Sequence, residues 1–121
     1  MWRDNKKHGH GVYFLKNGDR YEGDMANGVK NGIGTFYYFE TSDRYEGQWK
    51  NDERCGKGMY YFGNGGRYVG FWKHNFEHGD GTLYSSNGSS YVGQWKQGKK
   101  VGKGIMNHND GREEQMDFGG E

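Results

Sequence analysis

Apolar and polar positions alternate along the chain with a period of two. The run Tyr-x-Gly-x-Trp (Met in the first case) occurs at Tyr21/Gly23/Met25, Tyr45/Gly47/Trp49, Tyr68/Gly70/Trp72 and Tyr91/Gly93/Trp95. Side chains two apart in a strand point the same way, so each Tyr, Gly and Trp share a face. Nine residues after each of those glycines a second run begins: Gly32/Gly34/Phe36, Gly56/Gly58/Tyr60, Gly79/Gly81 and Gly102/Gly104. Gly9/Gly11, with Tyr13, heads that series. Turn dipeptides punctuate the runs at Asn17-Gly18, Asn27-Gly28, Asn64-Gly65, Asn87-Gly88 and Asp110-Gly111. The pattern predicts hairpins in tandem. A glycine inside a strand marks a place where something approaches closely. The visitor expected here is an aromatic ring from the neighbouring strand.

The spacing of the Tyr-x-Gly runs is 24, 23 and 23 residues, and Trp2 lies 23 residues before Met25. Repeats of such length make a quasi-one-dimensional array, each unit touching only its neighbours. The units run approximately over residues 1–20, 21–44, 45–67, 68–90 and 91–113, with 114–121 as a degenerate terminal strand, and together form a single array. The one-residue excess in the second unit falls at Glu40-Thr41-Ser42-Asp43, where a longer loop is expected.

Composition sharpens this reading. Gly occurs 24 times and Pro never, with one alanine (Ala26) and two leucines (Leu15 and Leu83), a poor supply of helix formers. Hydrophobic residues make up 31% against the ~45–50% of ordinary domains, yet aromatics reach 17%. The core must be thin and made of rings on glycines. A net charge of +1 gives no general attraction to nucleic acid. Cys55 stands alone and fits a reducing compartment, and the polar stretch from Met1 to Gly11 lacks the apolar segment of an export signal. The sequon at Asn87-Gly88-Ser89 reads as a turn. A soluble, cytoplasmic protein is the expectation.

Tyr21-Glu22-Gly23-Asp24-Met25 and Tyr45-Glu46-Gly47-Gln48-Trp49-Lys50-Asn51, each followed by Gly-x-Gly at fixed spacing, resemble the MORN (membrane occupation and recognition nexus) repeat over most of the chain. The resemblance implies an all-β fold: an elongated, twisted, single-layer antiparallel sheet with an aromatic groove. It also implies work as a non-enzymatic scaffold, since related proteins serve in cilia, axonemes and the cytoskeleton, at membrane junctions, and as accessory domains of lipid kinases and methyltransferases. Met25 replaces Trp, the first unit lacks Tyr-x-Gly, and Glu114 and Met116 stand where Tyr and Gly are expected. These ends are either caps or cuts in a longer array; the start within a strand at Trp2 favours the second.

The candidate partner-binding groove comprises Tyr21, Tyr45, Trp49, Tyr60, Tyr68, Trp72, Tyr91 and Trp95, over the structural glycines Gly23, Gly34, Gly47, Gly58, Gly70, Gly81 and Gly93. A single layer leaves part of such a face open, and Tyr and Trp are favoured interface anchors. The alternative is that these rings are simply the core. A protein partner would offer an amphipathic helix or an extended segment. The opposite face is polar at Glu22, Asp24, Glu46 and Gln48, but apolar around Val69, Phe71, Val92, Tyr61 and Tyr84, which makes a second candidate contact.

The loops after each Trp are rich in Lys and Arg, and Lys6, Lys7, Lys30, Lys99 and Lys100 define a candidate edge for acidic phospholipids. The far-edge turns hold Asp19, Glu40, Asp43, Asp110, Glu113 and Glu114 against Lys16, Arg20, Arg44, Arg67 and Arg112. No metal or other cofactor is expected, because His8, Cys55 and His78 fill equivalent slots of different repeats, ~9–10 Å apart. No Gly-x-Gly opens a helix, which removes nucleotide-binding readings. A choline- or glucan-binding repeat is a further reading, weakened by the lack of Trp-Tyr pairs. The open end strands could join edge to edge in a dimer or larger complex.

Overall fold

The structure, a computed structural model, describes residues 2–3 and 6–119, with side chains from His8 onward. Two short strands, β1 (Trp2–Arg3) and β2 (Lys6–Lys7), pair with each other. Ten more follow: β3 (Gly9–Phe14), β4 (Arg20–Ala26), β5 (Val29–Tyr37), β6 (Arg44–Lys50), β7 (Glu53–Tyr61), β8 (Arg67–Lys73), β9 (Phe76–Tyr84), β10 (Ser90–Lys96), β11 (Lys99–Asn107) and β12 (Glu113–Asp117). They form one open, twisted antiparallel sheet in which every strand lies beside its neighbours in sequence. Among the described residues there is no helix. The expected meander of hairpins is what the chain forms, about 43 Å across at ~4.8 Å per strand spacing.

Two kinds of turn alternate. Each strand bearing the repeat Trp, or Met25 in β4, reverses through two residues, Asn27-Gly28, Asn51-Asp52, His74-Asn75 or Gln97-Gly98. Both positions have positive φ, for example 50° at His74 and 73° at Asn75, as a type I′ turn requires. Its twist matches that of the flanking strands, which is why non-glycine residues tolerate a left-handed backbone here. These turns are tighter than the basic loops read from the sequence, and Lys30, Arg54, Lys99 and Lys100 are consequently strand residues. At the other edge the strands join through Leu15–Asp19, Phe62–Gly66, Ser85–Ser89 and His108–Arg112, each closed by its first N–H on its last carbonyl. The second unit uses residues 38–43 instead, which absorbs its additional residue where expected.

Each hairpin closed by a two-residue turn also contains a bulge. On β4 the step from Gly23 to Met25 covers two residues, while the paired residues of β5, Gly34 and Lys30, are four apart. The same offset recurs in the next hairpins near Gly47, Gly70 and Gly93. The first glycine of each Gly-x-Gly makes this possible, with φ of 61° at Gly56 and 83° at Gly79. Asp24 and Gln48 bridge the bulges by accepting the N–H of Ile33 and of Lys57, each at 3.0 Å. The two glycines of the motif therefore differ in role. Only the second is a seat for a ring.

That seat is tight. A Cβ at Gly34, Gly58, Gly81 or Gly104 would collide with the ring of Tyr21, Tyr45, Tyr68 or Tyr91, respectively. Gly23, Gly47 and Gly70 face the Cα of Gly34, Gly58 and Gly81 across the strand pair, under the same rings. The ring comes from the adjacent strand, as the sequence predicts.

Candidate partner-binding face

One face of the sheet carries an unbroken chain of rings. Tyr21 meets Trp49 edge-on at 5.7 Å, and Trp49 meets Tyr45 at 5.0 Å. Tyr45 meets Trp72 at 5.3 Å, Trp72 meets Tyr68 at 5.2 Å, and Tyr68 meets Trp95 at 5.3 Å. Trp95 then meets Tyr91 at 6.0 Å. Each perpendicular pair adds about 0.5–1.5 kcal/mol beyond the burial of its area. The polar tips are tied to backbone: the hydroxyls of Tyr21, Tyr45 and Tyr68 donate to the carbonyls of Asp24, Gln48 and Phe71. The indole N–H groups of Trp49, Trp72 and Trp95 donate to the carbonyls of Gly34, Gly58 and Gly81. Burial pushes the phenols of Tyr21, Tyr45 and Tyr68 well above their ordinary range.

Seven of the eight rings chosen from sequence are no more than 6% exposed; Tyr60 alone is half-buried. The seven form the core of the sheet together with Tyr13, Met25 and Phe36. The part of this face that packs on the core and still reaches solvent includes Tyr38, Tyr60, Phe62, Leu83 and Met106. A cleft of about 510 Å³ spans the second to fourth repeats, lined by Phe36, Tyr38, Trp49, Tyr60 and Phe76 together with Lys30, Asp52, Arg54 and Asn75.

Cations stand over the rings at one recurring position, the residue paired with the Met or Trp of its own hairpin. Lys30 lies 5.0 Å from the centroid of Trp49 and 5.2 Å from that of Phe36, and ion-pairs with Asp52 at 3.2 Å. Arg54 lies 4.9 Å from Trp72 and 5.2 Å from Tyr60, donating to the hydroxyl of Tyr38 and the carbonyl of Asn75. Lys100 lies 5.0 Å from Tyr91 and 5.6 Å from Phe118. In the fourth repeat the same slot, paired with Trp72, holds Glu77, whose charge acts on the Tyr68 phenol. Of the lysines expected to form one basic edge, Lys30 and Lys100 thus belong to the ring face and Lys99 is exposed. The side chains of Lys6 and Lys7 lie outside the described residues.

The family model for the MORN repeat matches residues 1–20, 21–39, 45–67, 68–90 and 91–111. The chain belongs to the MORN-repeat family. No curated protein matches its sequence significantly. Among solved structures, this MORN array is similar to the TCP domain of SAS-4 (dCPAP) of Drosophila melanogaster, solved in complex with a proline-rich motif of Ana2 (dSTIL). Identity is 17%, with 87% of this chain and 69% of that chain covered at a TM-score of 0.50, a likeness that shows the fold alone.

The MORN sheet's other face holds features that sequence reasoning missed. Arg20, Arg44 and Arg67, read as turn charges, are strand residues whose guanidinium groups lie 4.0–4.1 Å from the ring centroids of Tyr37, Tyr61 and Tyr84 on the following strands. The strand register makes the contact: the residue before each of these repeat tyrosines pairs with the last residue of the returning strand. Next to this ladder Val69, Phe71 and Val92 form the expected apolar patch, which Met59 and Ile105 extend in register. Phe118 was also missed. It stands 23 residues after Trp95 and caps Tyr91 edge-on at 5.7 Å, in the place a next Trp would take.

The charged turns are mostly engaged. Asp19 accepts the N–H of Phe39, while Asp43 accepts the N–H of Gly63 and the hydroxyl of Tyr60, so both staple one repeat to the next. His10, His74 and His108 each pair with one carboxylate, on Asp24, Glu53 and Glu114. Among the described residues no three His, Cys, Asp or Glu side chains come together as a metal site.

Proposed function

We propose that this chain is a non-enzymatic protein-binding scaffold that lays an extended segment of a partner across the strands of its ring face. The observation that carries this reading is the outward row Tyr38, Tyr60, Phe62, Leu83 and Met106, apolar, anchored on a rigid aromatic core and, among the described residues, uncovered by a second layer. A rigid ring that keeps one edge in solvent is a good anchor, because it loses little conformational freedom on binding. The similar TCP domain, solved with a proline-rich motif, favours an extended segment over a helix. A place in a ciliary or cytoskeletal assembly of the cytoplasm belongs to the same proposal.

Tyr60 and Tyr61 are consecutive in β7 and face opposite sides, which supplies a matched pair of variants. A proline-rich peptide is titrated into isotopically labelled protein while the indole N–H resonances of Trp49, Trp72 and Trp95 are followed. The expected result is a shift of these resonances in the wild type and in Tyr61→Ser, with loss of binding in Tyr60→Ser. Shifts confined to the Arg–Tyr face would overturn the assignment. Binding of acidic vesicles that Tyr60→Ser leaves intact, with no response to peptide, would transfer the function to the lipid edge.

A further inference from the structure

The ring face has a written order of charges. The recurring slot is occupied by Lys30 on β5, Arg54 on β7, Glu77 on β9 and Lys100 on β11, each paired with the Met or Trp of its hairpin. Lys30 is already neutralised by Asp52. Arg54 has five N–H donors, of which two are satisfied by Tyr38 and Asn75, and its Nε is buried without a partner. The next two slots alternate in sign, negative at Glu77 and positive at Lys100. Rings lie beneath Lys30, Arg54 and Lys100, and Glu77 shares their face as the partner of Trp72, close enough to act on the Tyr68 phenol. Over such a poorly solvated floor a complementary charge gains most and a like charge is most costly.

Successive slots lie two strands apart, about 9.4–9.8 Å. A polyproline II helix advances about 9.3 Å every three residues and returns its side chains to the same side at each turn. The two repeats stay in step over three slots. An α-helix returns after seven residues, about 10.5 Å, and drifts by roughly 1 Å per slot. A flat β-strand alternates faces and places every third residue on the wrong side.

We infer that the ring face selects a polyproline II segment with an acidic, a basic and an acidic residue at every third position, opposite Arg54, Glu77 and Lys100. The order is the same in both directions, so it does not depend on which way the segment runs. This inference rests on the extended-segment reading above and specifies its chemistry.

The test uses two proline-rich peptides, one with Glu, Lys and Glu at every third position and one with Glu at all three. Each is titrated into the whole chain and into Glu77→Lys, a substitution that puts in the fourth repeat the kind of residue three other repeats already carry. The wild type should prefer the mixed peptide by about tenfold, and Glu77→Lys should reverse the preference by a similar factor. Both differences should shrink as salt is raised. Equal binding of both peptides to both proteins would overturn the charge order and leave the extended-segment scaffold standing. No binding of either peptide to the wild type would overturn that scaffold reading as well.

Discussion

Replacing Gly58 by alanine adds one methyl group to a site with no room for it. Its Cβ would overlap the Tyr45 ring, with ring carbons Cε1 and Cζ at 2.5 Å and the hydroxyl nearer still. Tyr45 is fully buried and cannot swing aside, because Trp49 and Trp72 pack against it from both sides at 5.0 and 5.3 Å. Overpacking of this kind costs about 1–3 kcal/mol. If the ring tips, the bond from its hydroxyl to the Gln48 carbonyl, 2.9 Å, is lost as well, for about 1 kcal/mol. Alanine in place of glycine recovers roughly 0.4–1 kcal/mol by restricting the unfolded chain. The net expectation is a destabilisation of about 1–3 kcal/mol.

Urea unfolding followed by tryptophan fluorescence measures that loss. It is completed by a double-mutant cycle with Tyr45→Phe, which removes the closest atom. If the ring seat is the reason for the glycine, the two substitutions are not additive, and a coupling of about 1 kcal/mol appears. Additivity within about 0.5 kcal/mol would refute the reasoning and assign Gly58 a purely backbone role.

Valine at Gly34, Gly58 or Gly81 should be worse than alanine at the same place, and all three far more damaging than Lys99→Ala; equal melting of the four variants would sink the packing argument. Asp43→Ala removes an acceptor that holds Gly63 N–H and the Tyr60 hydroxyl, each at 2.7 Å, and should cost roughly 1.5–3 kcal/mol by urea unfolding, with Asp43→Asn retaining part of it. Phe118→Ala, at a ring 44% exposed, should cost about 1–2 kcal/mol and speed amide exchange in β11 and β12 while β6 and β7 stay protected. Tyr21, Tyr45 and Tyr68 have folded pKa values raised by burial above the unfolded ~10, so their contribution is complete below pH ~10 and is lost as pH rises beyond it. Each removes about 1.4 kcal/mol per pH unit, and a urea midpoint that stays constant between about pH 9 and about pH 11 would contradict this.

Most of the fold was legible because it is local. A hairpin is decided by alternation, by turn residues and by the seat each glycine leaves for the ring beside it, and all three recur every 23 residues or so. The bulge was hidden, because an alternating pattern looks the same whether or not two residues of it bow outward. Its signature, the left-handed backbone at Gly32, Gly56, Gly79 and Gly102, is a property of the pairing and not of the composition. His74-Asn75 was hidden for the same reason: the turn type is imposed by the twist of two strands already in register.

The candidate site divided along a similar line. Which rings share a face was readable from parity, and Tyr21, Tyr45, Tyr68 and Tyr91 do share it with Trp49, Trp72 and Trp95. Whether those rings are floor or surface depends on how far each repeat closes over the next, and parity carries no depth. Lys30 and Lys100 looked like members of a charged edge for a related reason: sequence shows where a residue starts, while a long side chain ends wherever rings hold it. Sequence alone therefore determined the all-β array, its repeat, its glycine seats and the faces of its strands, since these depend on nearest neighbours. Only the tertiary structure decided the depth of the rings, the Arg–Tyr ladder, the cap at Phe118 and the cation slots with Glu77 among them. Those depend on strands in register, where groups 17 to 27 residues apart meet at 4–6 Å.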